Sequence, residues 1–396
     1  MISNSINKDR FRGYKVKVYP TIEQIEKINI IIHAYRSIYN VALNMQNENY
    51  DSGNKYISYF SMCKIFREMR DMPEYNWMNN LSMSSIRQAL VDVNNAFIMF
   101  FNKVSDYPKF KSRKYSKKSI GLRSERVYIR DKYIGIPDIG YVLAKKHHIP
   151  INTRVYCTRL STDGYGNYWF SCEIEREMID MSNVPKTDAV GIDVGIKKMI
   201  TTSSGSIYHY SDVSKFEKRI RRQNKRLSKH YRRMLDEAKR TKTKYEDIPK
   251  SKNMQKLECD RKKAYNRISN KLNNDINIAT KEIVSTNPEV IVIEDVKVME
   301  ILKVKRMRKY APYLRFSEIR RQIEYKAADR GIPIIVVDAH YPSSQICSRC
   351  GNIRKIWSNP IYKCPVCGLK IDRDLNAAYN LRNLAYQNVN STYEVA

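Results

Sequence analysis

The sequence predicts a multidomain α+β protein: a β-rich module interrupted by a helical block, then an α/β domain that carries a cysteine-rich insertion. Three observations predict it. Apolar residues recur at three and four residues through most of 21–105, the stripe of amphipathic helices. Short β-type runs separated by turns follow, to about 176. Beyond 185, continuous apolar strands alternate with helical patterns, which is the texture of a buried sheet covered by helices.

The elements justify this division in order. Residues 14–18 (Tyr-Lys-Val-Lys-Val) alternate as a half-buried strand does, and Pro20 ends it. Thr21 and Gln24 have the spacing of a capping box, and Ile25, Ile28, Ile32, Tyr35 and Tyr39 then form a helical stripe. Further helices are predicted near 58–71 and 82–103, the second with a stripe of Ile86, Leu90, Val93, Phe97 and Phe101. Strands are predicted at 126–129, 132–136, 140–145, 154–160 and 168–176, with a hairpin turn at Asp163–Asn167 between the last two. They read as a small antiparallel barrel or meander, joined by the strand at 14–18 with the helical block inserted between. The α/β domain begins with the strand Ala189–Asp193, followed by strands at 198–202 and 206–210. A basic helical segment at 215–271 is split into two arms by Pro249. Strands at 290–293 and 332–337 flank a helix at 316–330, and a last helix begins near Asp374. The predicted domains are therefore 1–20 with 106–184 (β module), 21–105 (helical), and 185–342 with 371–386 (α/β, including a basic hairpin at 213–280). A cysteine insertion spans 343–370, and 387–396 is a loose tail.

The charge balance names the partner class. Lys and Arg number 72 against 41 Asp and Glu, a net of +31. Self-repulsion on that scale calls for a polyanion, and phosphate neutralisation makes nucleic acid the natural one. The 29 tyrosines include candidates for stacking on unpaired bases, although most serve as ordinary core or surface residues. No apolar run of about 18 residues predicts a membrane span. The first residues lack the basic-then-apolar order of a signal peptide, so a cytoplasmic location is expected.

Three carboxylates stand where apolar strands or a helix start would hold them. Asp193 follows a continuous apolar strand in Gly191-Ile-Asp-Val-Gly195, and Glu294 ends Val290-Ile-Val-Ile293. An acid there is costly to desolvate unless a cation meets it. Asp374 opens the final helix in Asp372-Arg-Asp-Leu-Asn-Ala-Ala378, where the helix dipole also favours an acid. Singly, each reads as a cap or strand-end acid. Together, in this order on an α/β pattern, they suit two Mg²⁺ ions for phosphodiester cleavage. Asp295, Asp338 and Asp372 read as supporting neighbours.

Four of the eight cysteines are scattered (Cys63, Cys157, Cys172, Cys259) and read as buried thiols. The others form two Cys-x-x-Cys pairs, Cys347/Cys350 and Cys364/Cys367, each followed by a glycine. The spacing suits one structural Zn²⁺ with all four positions filled. Two redox pairs or plain buried thiols are the alternative reading.

On these residues the chain resembles TnpB, the transposon-encoded relatives of type V CRISPR effector nucleases. Gly191–Gly195 is similar to the first RuvC motif of that family and Val292–Asp295 to the second. Ser343–Gly351 resembles its zinc knuckle and Asp372–Ala378 its third RuvC motif. Tyr14–Pro20, Ser37–Asn40 and the basic Asp106–Ser112 segment match its N-terminal half more loosely. Pro342-Ser343 departs from the family, where many members carry Thr after Pro, at a position expected not to touch a ligand.

The resemblance implies a wedge-like β-barrel with an inserted helical recognition domain. An RNase H-like (RuvC) domain with a zinc-ribbon insertion would follow. It implies RNA-guided cleavage of double-stranded DNA beside a short flanking motif, by Asp193, Glu294 and Asp374 with two Mg²⁺, leaving 5′-phosphates. Zn²⁺ would sit on Cys347, Cys350, Cys364 and Cys367, and the guide RNA would come from the transposon end. Arg87 and Gln88 are candidates for reading the flanking motif, and Lys109, Lys111, Arg113 and Arg349 for further nucleic-acid contact. Three other readings stay open: a miniature type V CRISPR effector, a guide-directed repressor without cleavage, and a guide-free RuvC-like resolvase. The intact triad argues against the repressor, and the long basic N-terminal half against the resolvase.

Overall fold

A computed structural model describes residues 11–389 apart from 114–117, 146, 165, 176–180, 182 and 356–358. The chain forms two compact units, 1–176 and 177–396.

In the first unit, β1 (Phe11–Val18) is followed by α1 (Ile22–Asp51), α2 (Tyr59–Arg70) and α3 (Met83–Phe101). Thr21 and Gln24 do form the capping box: each backbone N–H donates to the other's side chain, at 3.0 and 3.3 Å. The α1 stripe buries Ile28, Ile32, Tyr35 and Tyr39. Each such side chain withdrawn from water contributes roughly 1.5–3 kcal/mol. On α3, Ile86, Leu90, Val93 and Phe97 are buried, but Phe101 is 58% exposed and drops out of the predicted stripe. The helix ends there, so no further turn covers it.

The strands β2 (Lys118–Gly121), β3 (Tyr128–Ile129), β4 (Tyr133–Ile136), β5 (Gly140–Leu143), β6 (Tyr156–Thr162) and β7 (Tyr168–Glu175) follow. One sheet has the order β1-β7-β6-β2, with β1 antiparallel to β7 from Phe11–Glu175 to Val18–Tyr168. A second has the order β3-β4-β5, and one bridge, Tyr19 N–H to Leu143 O at 2.8 Å, links the two. The predicted barrel is therefore not closed among the described residues. The ladder ends at the short strands β2 and β3, of four and two residues. Strand β2 went unpredicted because its four residues lie in a segment whose charge masks any alternation.

In the second unit, β8 (Val190–Val194), β9 (Ile200–Thr202) and β10 (Ile207–Tyr208) form an antiparallel meander. Two long helices, α4 (Ser214–Thr241) and α5 (Lys252–Ser285), make a hairpin, with Pro249 in the link between them. Then come β11 (Ile291–Glu294), α6 (Val298–Lys303), α7 (Phe316–Ala328), β12 (Ile334–Val337), β13 (Ile361–Lys363), β14 (Lys370–Asp372) and α8 (Arg373–Val389). The five-stranded order is β10-β9-β8-β11-β12, with β8, β11 and β12 mutually parallel. Helix α8 runs to Val389, past the predicted start of the tail, and residues 390–396 lie outside the described residues.

Strand alternation sorts the side chains of this sheet onto two faces. Val190, Ile192, Ile291 and Ile293 pack with Ile283 of α5 and Ile319 and Ile323 of α7. Ala189 and Val292 face the other way, onto Leu381 and Ala385 of α8. Gly191 lies under α8 so closely that a Cβ there would stand 2.1 Å from Ala378 O and 2.4 Å from Arg382 N. No helix among the described residues is long and apolar enough to cross a membrane.

Gly191→Ala is expected to force α8 off the sheet and cost about 1–3 kcal/mol or more, as overpacking does. A thermal melt checks this, and an unchanged Tm would show that α8 does not lie that close.

Candidate active site and cysteine cluster

The sheet register brings the first two predicted carboxylates together. Ile192 of β8 is paired with Ile293 of β11, so Asp193 and Glu294 are the next residues on two adjacent parallel strands. By alternation both belong to the face of Gly191 and Val292, the one that α8 covers. Both sit where the strands run out at their carboxyl ends, the usual place for sites in such sheets. Helix α8 opens at the same end and supplies Asp374 in its first turn. The Asp372 carboxylate accepts from the N–H groups of Asp374 (3.0 Å) and Leu375 (3.2 Å), which caps the helix and fixes where Asp374 begins.

The electrostatics follow from this convergence. The Asp193 carboxyl is pushed up to about 8, first by burial and then by the charges of Glu294 and Asp374, while Arg373 and Lys198 pull it down. Burial also raises Glu294, against a hydrogen bond donated by the Ser343 hydroxyl. Lys198, in the β8–β9 loop, lies 2.6 Å from Asp372 and 3.4 Å from Asp374, and Arg373 lies 3.2 Å from Asp374. Asp193 is thus held in the field of two further acids with only partial compensation, and the three carboxylates are a donor set of the kind that fits hard divalent cations. Their oxygens are less tightly gathered than the cysteines: among the described residues, only the four thiols form a group of three or more such ligands all within 4.8 Å.

Lys198 and Ser343 escaped the sequence reading. Ser343 was expected to touch no ligand, yet its hydroxyl donates to Glu294. The correction follows from the path of the chain: β12 pairs with β11 through Glu294–Val337, so the segment just after β12 passes the same strand end. Of the supporting acids, Asp295 is bound by Arg320 at 2.6 Å, and Asp338 accepts from the His340 N–H at 2.8 Å.

In the cysteine cluster, Cys347 and Cys367 sulfurs lie 3.6 Å apart, and those of Cys350 and Cys364 3.5 Å. Gly351 and Gly368 have φ of +74° and +70°, which lets the Gly351 N–H turn back to Cys347 O and the Gly368 N–H to Cys364 O. The Cys364 thiol is held down at about 6, by the Cys367 N–H first, against burial, and also by the Val366 N–H. That favours a thiolate, and the donor set suits zinc. Two buried asparagines tie the cluster to α8. Asn376 donates to Ile346 O (2.6 Å) and accepts from the Ser348 N–H (3.0 Å). Asn380 donates to Ser343 O and Ile346 O, both at 2.7 Å.

The other predicted residues are dispersed. Arg87 and Gln88 of α3 line a groove of about 520 Å³, with Tyr59, Arg123, Ser124 and Arg159 around it. Lys109 is exposed, 4.0 Å from Asp106. Lys111 is tucked inward, 3.7 Å above the Tyr39 ring and 3.8 Å from Asp92. Arg113 lines a separate small cavity. Arg349 is exposed between the first two cysteines.

The fold and these groups define a class: a mixed α/β chain with converging carboxylates at the strand ends of one sheet and a four-cysteine cluster tied to its last helix. Three family profiles match, described as "Helix-turn-helix domain" of OrfB_IS605 over 11–55, "Probable transposase" of OrfB_IS605 over 170–305, and "Cas12f1-like, TNB domain" over 316–381. The described residues of the first match form one strand and one helix, β1 and α1. Two proteins are similar along nearly their whole length, each named "Putative RNA-guided DNA endonuclease". The Streptomyces pristinaespiralis protein is 28% identical over 93% of this chain and 88% of its own. The Escherichia coli K12 protein, InsQ, is 27% identical over 94% and 92%. The TnpB-like protein L79 of Acanthamoeba polyphaga mimivirus is 28% identical over 33% of this chain and 26% of its own. By these matches the chain is similar to TnpB-type proteins and, through the TNB profile, to the type V effectors.

A pH dependence follows from Asp193. Between its ordinary pKa of 3.8 and about 8, the folded chain holds a proton that the unfolded chain releases, so stability falls as pH rises through that window. In magnesium-free buffer, Asp193→Asn is expected to melt above the wild type by a margin that widens from pH 5 to pH 8. A margin that stays constant across that range would contradict the assignment.

Proposed function

We propose that the protein is an RNA-guided DNA endonuclease that cuts with Asp193, Glu294 and Asp374. The convergence of these three carboxylates, from β8, β11 and α8, is the observation that carries the reading. The sheet order β10-β9-β8-β11-β12, with its meander followed by two parallel strands, is the order expected of an RNase H-like domain and supports that reading. The names of the two full-length relatives point the same way.

Asp193, Glu294 and Asp374 would hold two Mg²⁺ ions, which supply an activated water and stabilise the leaving oxygen of a phosphodiester, leaving a 5′-phosphate. The chain's own residues do the positioning. Adjacent strands hold Asp193 and Glu294 in register, and the Asp372 cap sets the start of Asp374's helix. Ser343 orients the Glu294 carboxylate, and Lys198 and Arg373 offset the repulsion between acids before any metal binds. Zn²⁺ on the four cysteines would brace the segment that carries Ser343, through Asn376 and Asn380.

The net charge of +31 suits a guide RNA and a target duplex together. Base pairing would read the target, while the protein reads shape and a short flanking motif. The groove lined by Arg87 and Gln88 is the place for that motif. Tyr35 donates to Gln88 O at 3.0 Å, and Gly121 leaves room for the Gln88 side chain, which a Cβ there would meet at 2.6 Å. The first unit's two sheets serve as the wedge module and α1–α3 as the recognition domain.

Asp193→Ala is expected to lower target cleavage by about three orders of magnitude or more, the scale on which loss of a key charge-stabilising group is felt, while RNA binding persists. Cleavage at the wild-type rate by purified variant would remove the assignment. Cys364→Ser is expected to reduce bound zinc from one per chain to almost none and to lower the Tm. Wild-type protein free of zinc by elemental analysis would contradict the zinc reading.

A further inference from the structure

We propose that a small basic cavity in the first unit seats one backbone phosphate of a nucleic-acid strand. The cavity has a volume of about 40 Å³ and is separate from the flanking-motif groove. Asn29, His33 and Arg36 of α1 line it, with Lys111 and Arg113 from the following basic segment and Lys118 of β2. No carboxylate is among its described lining residues.

The charge count leaves it positive. Asp92 is an acid close to Lys111, but Arg159 already holds it through two hydrogen bonds of 3.1 and 2.8 Å, and the Tyr35 hydroxyl lies 3.0 Å from it, sharing its one proton between Asp92 and Gln88 O. Lys111, at 3.8 Å, shares a carboxylate that one guanidinium has already neutralised. Two cations on one anion leave a unit of charge to be met from the cavity. Arg36 adds a geometric demand: its Nε is buried without a hydrogen-bond partner among the described residues. A buried charged donor left so costs more than the roughly 1–3 kcal/mol of a neutral one, and a water would supply an acceptor but no charge. His33 is held below its ordinary pKa by burial and then by Arg113, Arg36 and Lys118, which reports the same positive field.

Size and shape select the ligand. At about 10–15 Å³ per water, the space exceeds one water and suits a single tetrahedral oxyanion, not a base. Tyr35 is buried and turned to Asp92, so among the described lining residues no exposed Tyr, Trp or Phe ring offers a stacking surface. A phosphodiester meets each demand, and such contacts position a strand without reading its sequence. This goes beyond the nuclease reading, resting on it only for nucleic acid being the partner.

The test uses the full chain with labelled single-stranded RNA in one arm and labelled duplex DNA in the other, and reads the slope of log K against log salt. Each neutralised phosphate contributes a slope of about 0.7 for single strands and 0.9 for duplex DNA. Arg36→Gln and Arg113→Gln are each expected to reduce the slope by nearly that amount in one arm, and that arm identifies the strand. Arg36→Lys, which keeps the charge, is expected to restore it. Arg113 is exposed, so Arg113→Gln keeps the test decisive even where Arg36→Gln fails to fold. Unchanged slopes in both arms for Arg113→Gln would overturn the proposal. So would a rise in wild-type Tm with inorganic phosphate while neither slope moves, which would mark a free-anion site only. Cleavage by the same wild-type preparation is scored separately, so loss of the nuclease reading is distinguishable from loss of this one.

Discussion

The contact between α8 and the sheet at Gly191 is the constraint on which the rest of the second unit depends. A side chain at 191 would collide with the backbone of α8, so a glycine there lets the helix lie directly on the strands. With α8 in place, its first turn opens beside the carboxyl ends of β8 and β11. Asp374 then joins Asp193 and Glu294, although the three residues are distant in sequence. The same helix carries Asn376 and Asn380, which hold the segment bearing Ser343 and the first cysteines. A single close packing thus positions an acid, the hydroxyl that orients a second acid, and the cysteine cluster.

That arrangement stores electrostatic tension. Asp193 resists ionisation because burial and two neighbouring acids disfavour its charge, and Lys198 and Arg373 relieve only part of this. Divalent cations on the proposed site would relieve that repulsion. Lys198 has a second effect: by pairing with both Asp372 and Asp374, it links the β8–β9 loop to the helix start.

The placement of the three acids was legible because each sits at the end of a pattern the sequence states openly: an apolar strand for Asp193 and Glu294, a capped helix for Asp374. The strand at 14–18 and the Thr21 capping box were legible for the same local reason. What escaped is relational. Nothing near Ser343 or Lys198 in sequence points to Glu294 or Asp374, because the sheet register creates those contacts. Lys111 stands in a basic segment and was read only as a candidate nucleic-acid contact, yet it packs over Tyr39 and turns toward Asp92. Phe101 erred in the opposite direction, since the periodicity continues for one residue more than the core it covers. The barrel was overstated because edge strands of two and four residues cannot carry a ladder to closure.

The central claim is that the three acids serve common metal ions. Crystals soaked in Mn²⁺, with anomalous scattering recorded at the manganese edge, test it most directly. The account predicts manganese in contact with Asp193, Glu294 and Asp374 together. Manganese bound elsewhere, with those three carboxylates unligated, would contradict it.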